Sequence, residues 1–184
     1  MNTILKILLN NRPQGTVKRV VVGINWTLVE GEQGCGLAQT PRRNTPGCKP
    51  ISKAGELCEM DLNYLTKLIK ADNPMEVAIG MAAINAYYNR YDLVTEPGNG
   101  LDVFCGKTDS VTTIGRFPGL ERRYKSLKVI EMEPENGEFP ESMAKEILES
   151  SRHTIITAST FVNGTAFQML SYAASSEVAF IGPG

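Results

Sequence analysis

The chain is 184 residues long, 42% hydrophobic, with 19 basic and 20 acidic side chains and a formal net charge of -1. That length holds one large domain or two small ones, and the apolar content is enough for a real core. The balanced charge, without a dense Lys/Arg stripe, argues against a nucleic-acid partner.

Met1 to Leu9 carries Leu5, Ile7, Leu8 and Leu9, interrupted by Lys6. The stretch is too short for a signal peptide or a membrane span and reads as an amphipathic first helix. A cytoplasmic protein with no membrane partner is therefore expected. Val17 to Val22 is a β-branched run closed by Gly23, and Ile24 to Val29 continues it; both read as strand. Gly31, Gly34 and Gly36 read as turns or a hairpin. Thr40 to Pro50, with three prolines and Gly47, reads as an irregular loop. Asp61 is placed to cap a helix that carries Leu62, Leu65, Leu68 and Ile69 on one face. Asp72 or Asn73 caps the next helix, with Pro74 in its first turn. Val77 to Ala86 is almost wholly apolar or small, so this helix is expected to be buried. Asn85 within it either bonds inside the core or faces a cleft.

Tyr91 to Asp109, with Pro97, Gly98, Gly100 and Gly106, reads as the domain boundary, dividing the chain into 1–98 and 108–184. Beyond it, short apolar runs at Ser110–Ile114, Leu127–Ile130, His153–Thr157 and Val178–Ile181 alternate with helical stretches at 141–150 and 165–174. This rhythm predicts an α/β domain with a parallel sheet and helices on both faces.

Ligands of such sheets bind beyond the carboxyl ends of the strands. After the first run come Gly115-Arg116-Phe117-Pro118-Gly119-Leu120. The glycines allow close backbone approach, and Arg116 is a candidate for holding a carboxylate or phosphate. It is an ordinary turn on the alternative reading, and it is not a dinucleotide fingerprint. Glu131, after the second run, stands where an acid bonds ribose hydroxyls in Rossmann proteins. After the third run, Ser159, Thr160, Asn163 and Thr165 form a polar cluster opening a helix, a place suited to an anion. Asn163 and Thr165 equally suit simple capping. Gly182 follows the fourth run, and the chain then stops at Gly184, which suggests a fragment of a longer protein. His153, the only histidine, lies at the start of a strand, away from the expected site, and reads as structural or surface. The four cysteines, Cys35, Cys48, Cys58 and Cys105, form no C-x-x-C pair and read as free thiols. Cys35 and Cys48 are the candidates for a soft metal ion.

Several motifs in order resemble one family. They are Val22-Gly23-Ile24-Asn25-Trp26-Thr27, Gly36-Leu37-Ala38, Asn73-Pro74, Ile79 to Ala86, Gly115-Arg116-Phe117-Pro118, Thr157 to Thr165, and Ile181-Gly182-Pro183. The chain resembles the prokaryotic family of unknown function described as "putative heavy-metal chelation". The resemblance implies an enolase-N-terminal-like α+β domain followed by a Rossmann-like parallel sheet, here C-terminally truncated, with a site in an interdomain cleft. The expected function is small-ligand binding, the ligand being a small anionic molecule, a heavy-metal ion or a metal chelate. Asn25, Gln39 and Asn85 would contribute from the first domain, and Arg116, Phe117, Glu131, Ser159, Thr160, Asn163, Thr165 and Gly182 from the second. Two alternatives stand beside it. One is a transferase or lyase acting on a nucleotide-like or metal-related metabolite. The other is an interaction module without a ligand, forming a homo-oligomer through the apolar first helix.

Overall fold

The computed structural model describes residues 3–10, 14–41 and 50–183. The chain forms two compact units; the second comprises Glu96–Thr160 and Gly164–Gly182.

The first unit opens with helix α1 (Thr3–Asn10) and an antiparallel meander of β1 (Val17–Val22), β2 (Trp26–Gly31) and β3 (Cys35–Gln39). Strand β2 starts at Trp26, two residues later than expected, because Gly23 to Asn25 form the hairpin turn, where the Gly23 N–H donates to the Trp26 carbonyl at 2.9 Å. Helix α2 (Leu62–Thr66) starts on Asp61, whose carboxylate accepts from the Asn63 N–H. Helix α3 (Pro74–Tyr88) starts on Asn73, whose side chain accepts from the Met75 N–H. Both caps satisfy N–H groups that the first helical turn leaves free.

Helix α3 is buried along nearly its whole length, and glycines make that possible. Gly36 is not a turn residue; it lies within β3. A Cβ there would stand 2.1 Å from the Ala82 carbonyl oxygen of α3. A Cβ on Gly80 of α3 would stand 2.2 Å from the backbone nitrogen of Ile69. The helix is thus clamped by the sheet on one side and by the 3-10 turn Lys67–Lys70 on the other. Val17, Val29, Ala38, Leu65, Ile79 and Ile84 complete this core.

The second unit is a five-stranded sheet of β4 (Ser110–Ile114), β5 (Ser126–Glu131), β6 (Phe139–Pro140), β7 (His153–Thr157) and β8 (Glu177–Ile181), in the order β6-β5-β4-β7-β8. Every pair in it is parallel. In chain order this is 3-2-1-4-5, the order of a doubly wound dinucleotide-binding half. The two-residue β6 was not expected, since Pro140 reads against a strand. It is tolerated because β6 is an edge, where a missing N–H costs no ladder bond.

Helix α4 (Ala144–Glu149) and helix α6 (Ala166–Tyr172) meet on one face, over Ile114, Ile130 and Ile156. Between β7 and α6 lies α5 (Thr160–Asn163), a single turn ended by Gly164 at φ +83°. The other face does not carry the expected α-helices. Phe104, Leu120 and Tyr124 cover Val111 and Ile155 there, from irregular chain and a 3-10 turn at Leu120–Arg122. Large buried aromatic and aliphatic side chains do the work of a helix face.

Candidate functional site

In the 3-2-1-4-5 order, β4 and β7 are neighbours, but the chain leaves β4 toward β5 and leaves β7 toward β8. This is the topological switch point, where open parallel sheets bind ligands. Residues at the carboxyl ends of four strands meet here. Gly115 follows β4 at φ +95°, and its α-carbon faces Thr157 at the end of β7. The Arg116 N–H donates to Glu131 Oε1 at 2.9 Å, joining β4 to β5. The Ala158 N–H donates to the Ile181 carbonyl at 3.0 Å, setting Gly182 beside the β7 loop.

Arg116 is exposed but committed. Its Nε and Nη2 donate to the two carboxylate oxygens of Glu138 at 2.7 and 2.6 Å, and its Nη1 lies 3.2 Å from Glu135. A bidentate fork of this kind is among the stronger polar pairs. The Arg116 guanidinium, and then the Glu135 N–H, hold the Glu138 carboxyl down at about 2. Glu138 in turn raises the Arg116 guanidinium further above its ordinary value. The arginine expected to hold an anion therefore already holds a carboxylate from its own chain.

Glu131 is also occupied. Its two oxygens accept from the Arg116 and Met132 N–H groups, at 2.9 and 3.0 Å. The acid at the end of the second strand thus fastens the β4 loop. Thr160 is buried and donates its hydroxyl to the Thr157 carbonyl at 2.7 Å. It belongs to the packing, not to the open crevice. Ser159, half-buried, shares a 2.8 Å hydroxyl–hydroxyl bond with Thr157. Thr165 precedes α6 and makes no side-chain cap bond, contrary to the capping reading. Asn163 is exposed at the end of α5, a turn too short for a developed dipole. Phe117 packs against the core of the second face.

In the first unit, Asn25 and Gln39 come together. Gln39 pairs with Trp26 across the meander, and the Asn25 carbonyl accepts from the Thr40 N–H at 2.9 Å. Asn85 donates to the Leu37 carbonyl at 2.7 Å, so its amide ties α3 to β3. Cys35 is half-buried on β3, opposite Glu30. Burial, and then the Glu30 carboxylate, push its thiol up, against the pull of Arg19. The thiolate is the form that binds metal, so this setting disfavours Cys35 as a ligand. Cys48, with residues 42–49 of the expected loop, lies outside the described residues. Among the described residues, no three His, Cys, Asp or Glu side chains converge as a metal site, and no helix is long and apolar enough to cross a membrane. His153 is half-buried at the amino end of β7, with its ring 5.1 Å from that of Phe104, away from the switch point.

Two pairings escaped sequence reasoning. Arg116 with Glu138 spans 22 residues, and Arg116 with Glu131 spans 15. The run of four glutamates at 131, 133, 135 and 138 was the available signal.

Two family models match in succession. DUF4213, described as "Putative heavy-metal chelation", matches residues 5–88. DUF364, with the same description, matches residues 100–184. A comparison with curated proteins gives no match. Among solved structures, the chain is similar to a DUF364-family protein of unknown function from Desulfitobacterium hafniense DCB-2. The TM-score is 0.86 at 24% identity, covering 98% of this chain and 77% of that one. It is also similar to a DUF364-family protein of unknown function from Pyrococcus horikoshii, with a TM-score of 0.70 at 21% identity and the same coverages. At these identities the likeness establishes the fold. With both models matched in order along the chain, this protein belongs to the DUF4213–DUF364 family.

Proposed function

We propose that this protein binds a small ligand at the carboxyl ends of β4, β5, β7 and β8, and that the ligand is a metal already held in a small organic chelate. The observation that carries the reading is the switch point between β4 and β7, where Gly115 packs directly on Thr157 and hydrogen bonds draw in the ends of β5 and β8. Ser159 and the backbone at Gly182 would supply polar contacts there.

Charge decides between an anionic ligand and a metal-bearing one. The cation of these loops, Arg116, is neutralised by Glu138 and Glu135, and Glu131 and Glu133 stand beside it. A rim of this sign attracts a cationic complex and repels a bare anion. The described residues assemble no set of three protein ligands, so the metal would bring most of its ligands with it. The family description points to the same class of cargo.

Titration calorimetry tests this with nickel, cobalt, copper and zinc, each supplied free and each preloaded one-to-one on histidine or on diethylenetriamine, complexes that remain cationic. The chelates are expected to bind and the free ions to bind more weakly. Tight binding of the free ions with none of the chelates would mean direct protein chelation. Absence of heat from every chelate would remove the proposal.

A further inference from the structure

The geometry points to a second site: a pocket for a small phosphorylated molecule at the amino ends of the second unit's strands, the opposite edge of the sheet from the switch point. A cavity of about 360 Å³ opens there. Four basic side chains line it, Lys107, Lys128, Arg152 and His153, with five Ser or Thr residues and no carboxylate.

The hydroxyl protons can be assigned. Ser151 donates to the Ile147 carbonyl at 2.7 Å, so in its 2.7 Å bond with Thr112 the proton comes from Thr112. Ser150 donates to the same carbonyl at 2.9 Å, which covers the negative end of α4. Thr108 donates to the Ser110 carbonyl at 3.2 Å and accepts from the Ser110 N–H. Four of the five hydroxyl protons are thus spent within the wall.

Two of the cationic donors are not. Among the described residues, Lys128 and Arg152 have no side-chain partner. Lys107 lies 3.1 Å from Glu177, and His153 Nε2 lies 4.0 Å from the same carboxylate. Asp109, beside Thr108 in the chain, is held by Lys125 at 2.8 Å, and Glu149, beside Ser150, lies 4.0 Å from Lys145. Three permanent cations therefore stand against one carboxylate, Glu177, which Lys107 holds, around a concave, donor-rich wall. Such a wall calls for an oxyanion, and an Arg with two Lys suits phosphate. The volume exceeds that of a phosphate ion and falls in the range of small-molecule pockets, roughly 300–1,000 Å³. The ligand class is therefore a phosphomonoester of a small metabolite.

The test is calorimetry on the full chain with inorganic phosphate and with ribose 5-phosphate, alongside succinate. Ribose 5-phosphate is expected to bind at least as tightly as phosphate, and succinate more weakly than both. Arg152→Gln and Lys128→Gln, both at exposed positions, should each weaken ribose 5-phosphate binding about tenfold or more. Lys18→Gln, an exposed lysine of β1, should leave it unchanged. Failure of both phosphate compounds to bind at about 10 mM would overturn the proposal. So would binding that survives undiminished in both pocket variants, or succinate binding as tightly as ribose 5-phosphate.

Discussion

Gly115 and Thr157 meet so closely that a Cβ on Gly115 would lie 2.8 Å from Thr157 Cγ2 and 3.0 Å from its Cβ. Gly115 also sits at φ +95°, a conformation that L side chains rarely adopt. Two independent costs thus fall on one substitution. Gly115→Ala is expected to cost about 1–3 kcal/mol for the backbone conformation, with the clash added to it. Thr157→Ser removes Cγ2 and keeps the hydroxyl bonded to Ser159. In a double-mutant cycle by chemical denaturation, it should recover the part of the clash made by Cγ2 and leave the conformational cost. Strict additivity would contradict the contact.

Gly36→Ala should be among the most damaging small substitutions in the first unit. The added methyl would meet backbone atoms of α3, the Ala82 oxygen at 2.1 Å and the Ala86 nitrogen at 2.2 Å. Backbone within a packed helix cannot swing aside as a side chain can. A loss of about 3 kcal/mol or more is expected in urea unfolding, at the top of the usual overpacking range. Gly98→Ala, where nothing lies within 4 Å, should stay within about 0.5 kcal/mol of the parent.

Thr113 offers the reverse case. It is fully buried in β4, and its hydroxyl has no hydrogen-bond partner among the described residues. An unsatisfied buried hydroxyl costs about 1–3 kcal/mol. Thr113→Val keeps the β-branched shape and removes that group, so the midpoint of denaturation should rise. A fall in the midpoint would mean that the hydroxyl has a use.

The Arg116–Glu138 fork predicts a pH dependence in the acid range. The Glu138 carboxyl is held at about 2 in the fold, below its ordinary value of 4.5. A depressed carboxyl contributes stability that is present above its unfolded value and is lost as pH falls through the folded one. The stability difference between the parent and Glu138→Gln should therefore be constant above about pH 5 and shrink between about 4.5 and 2. Because Arg116 is partly exposed, added salt should shrink it too.

Much of the fold is legible from local chemistry. Asn73 followed by Pro74 marks the start of α3, and the glycines at 23, 115 and 182 mark where strands end. Strands β4, β5, β7 and β8 lie within a residue or two of the apolar runs that predict them. What stayed hidden depends on partners distant in sequence. β6 exists because Ile130 and Phe139 pair across the sheet, an edge contact that a proline-containing dipeptide does not advertise. The polar cluster at 159–165 reads as a set of open donors, but two of its hydroxyls are bound within the chain. Its hydroxyls serve Thr157, through Thr160 to the carbonyl and through Ser159 to the side chain. Likewise the charge of Arg116 is visible in the sequence, but its neutralisation by Glu138 requires the β4 and β6 loops to meet.

The most direct test of the proposed site is amide chemical-shift mapping of the labelled chain, titrated with a diamagnetic zinc–histidine chelate. The shifts that move should belong to residues 115–117, 131–132, 157–160 and 181–182, the carboxyl ends of four strands, while the amides of β1 to β3 stay still. Shifts confined to the first unit, or none at saturating chelate, would contradict it.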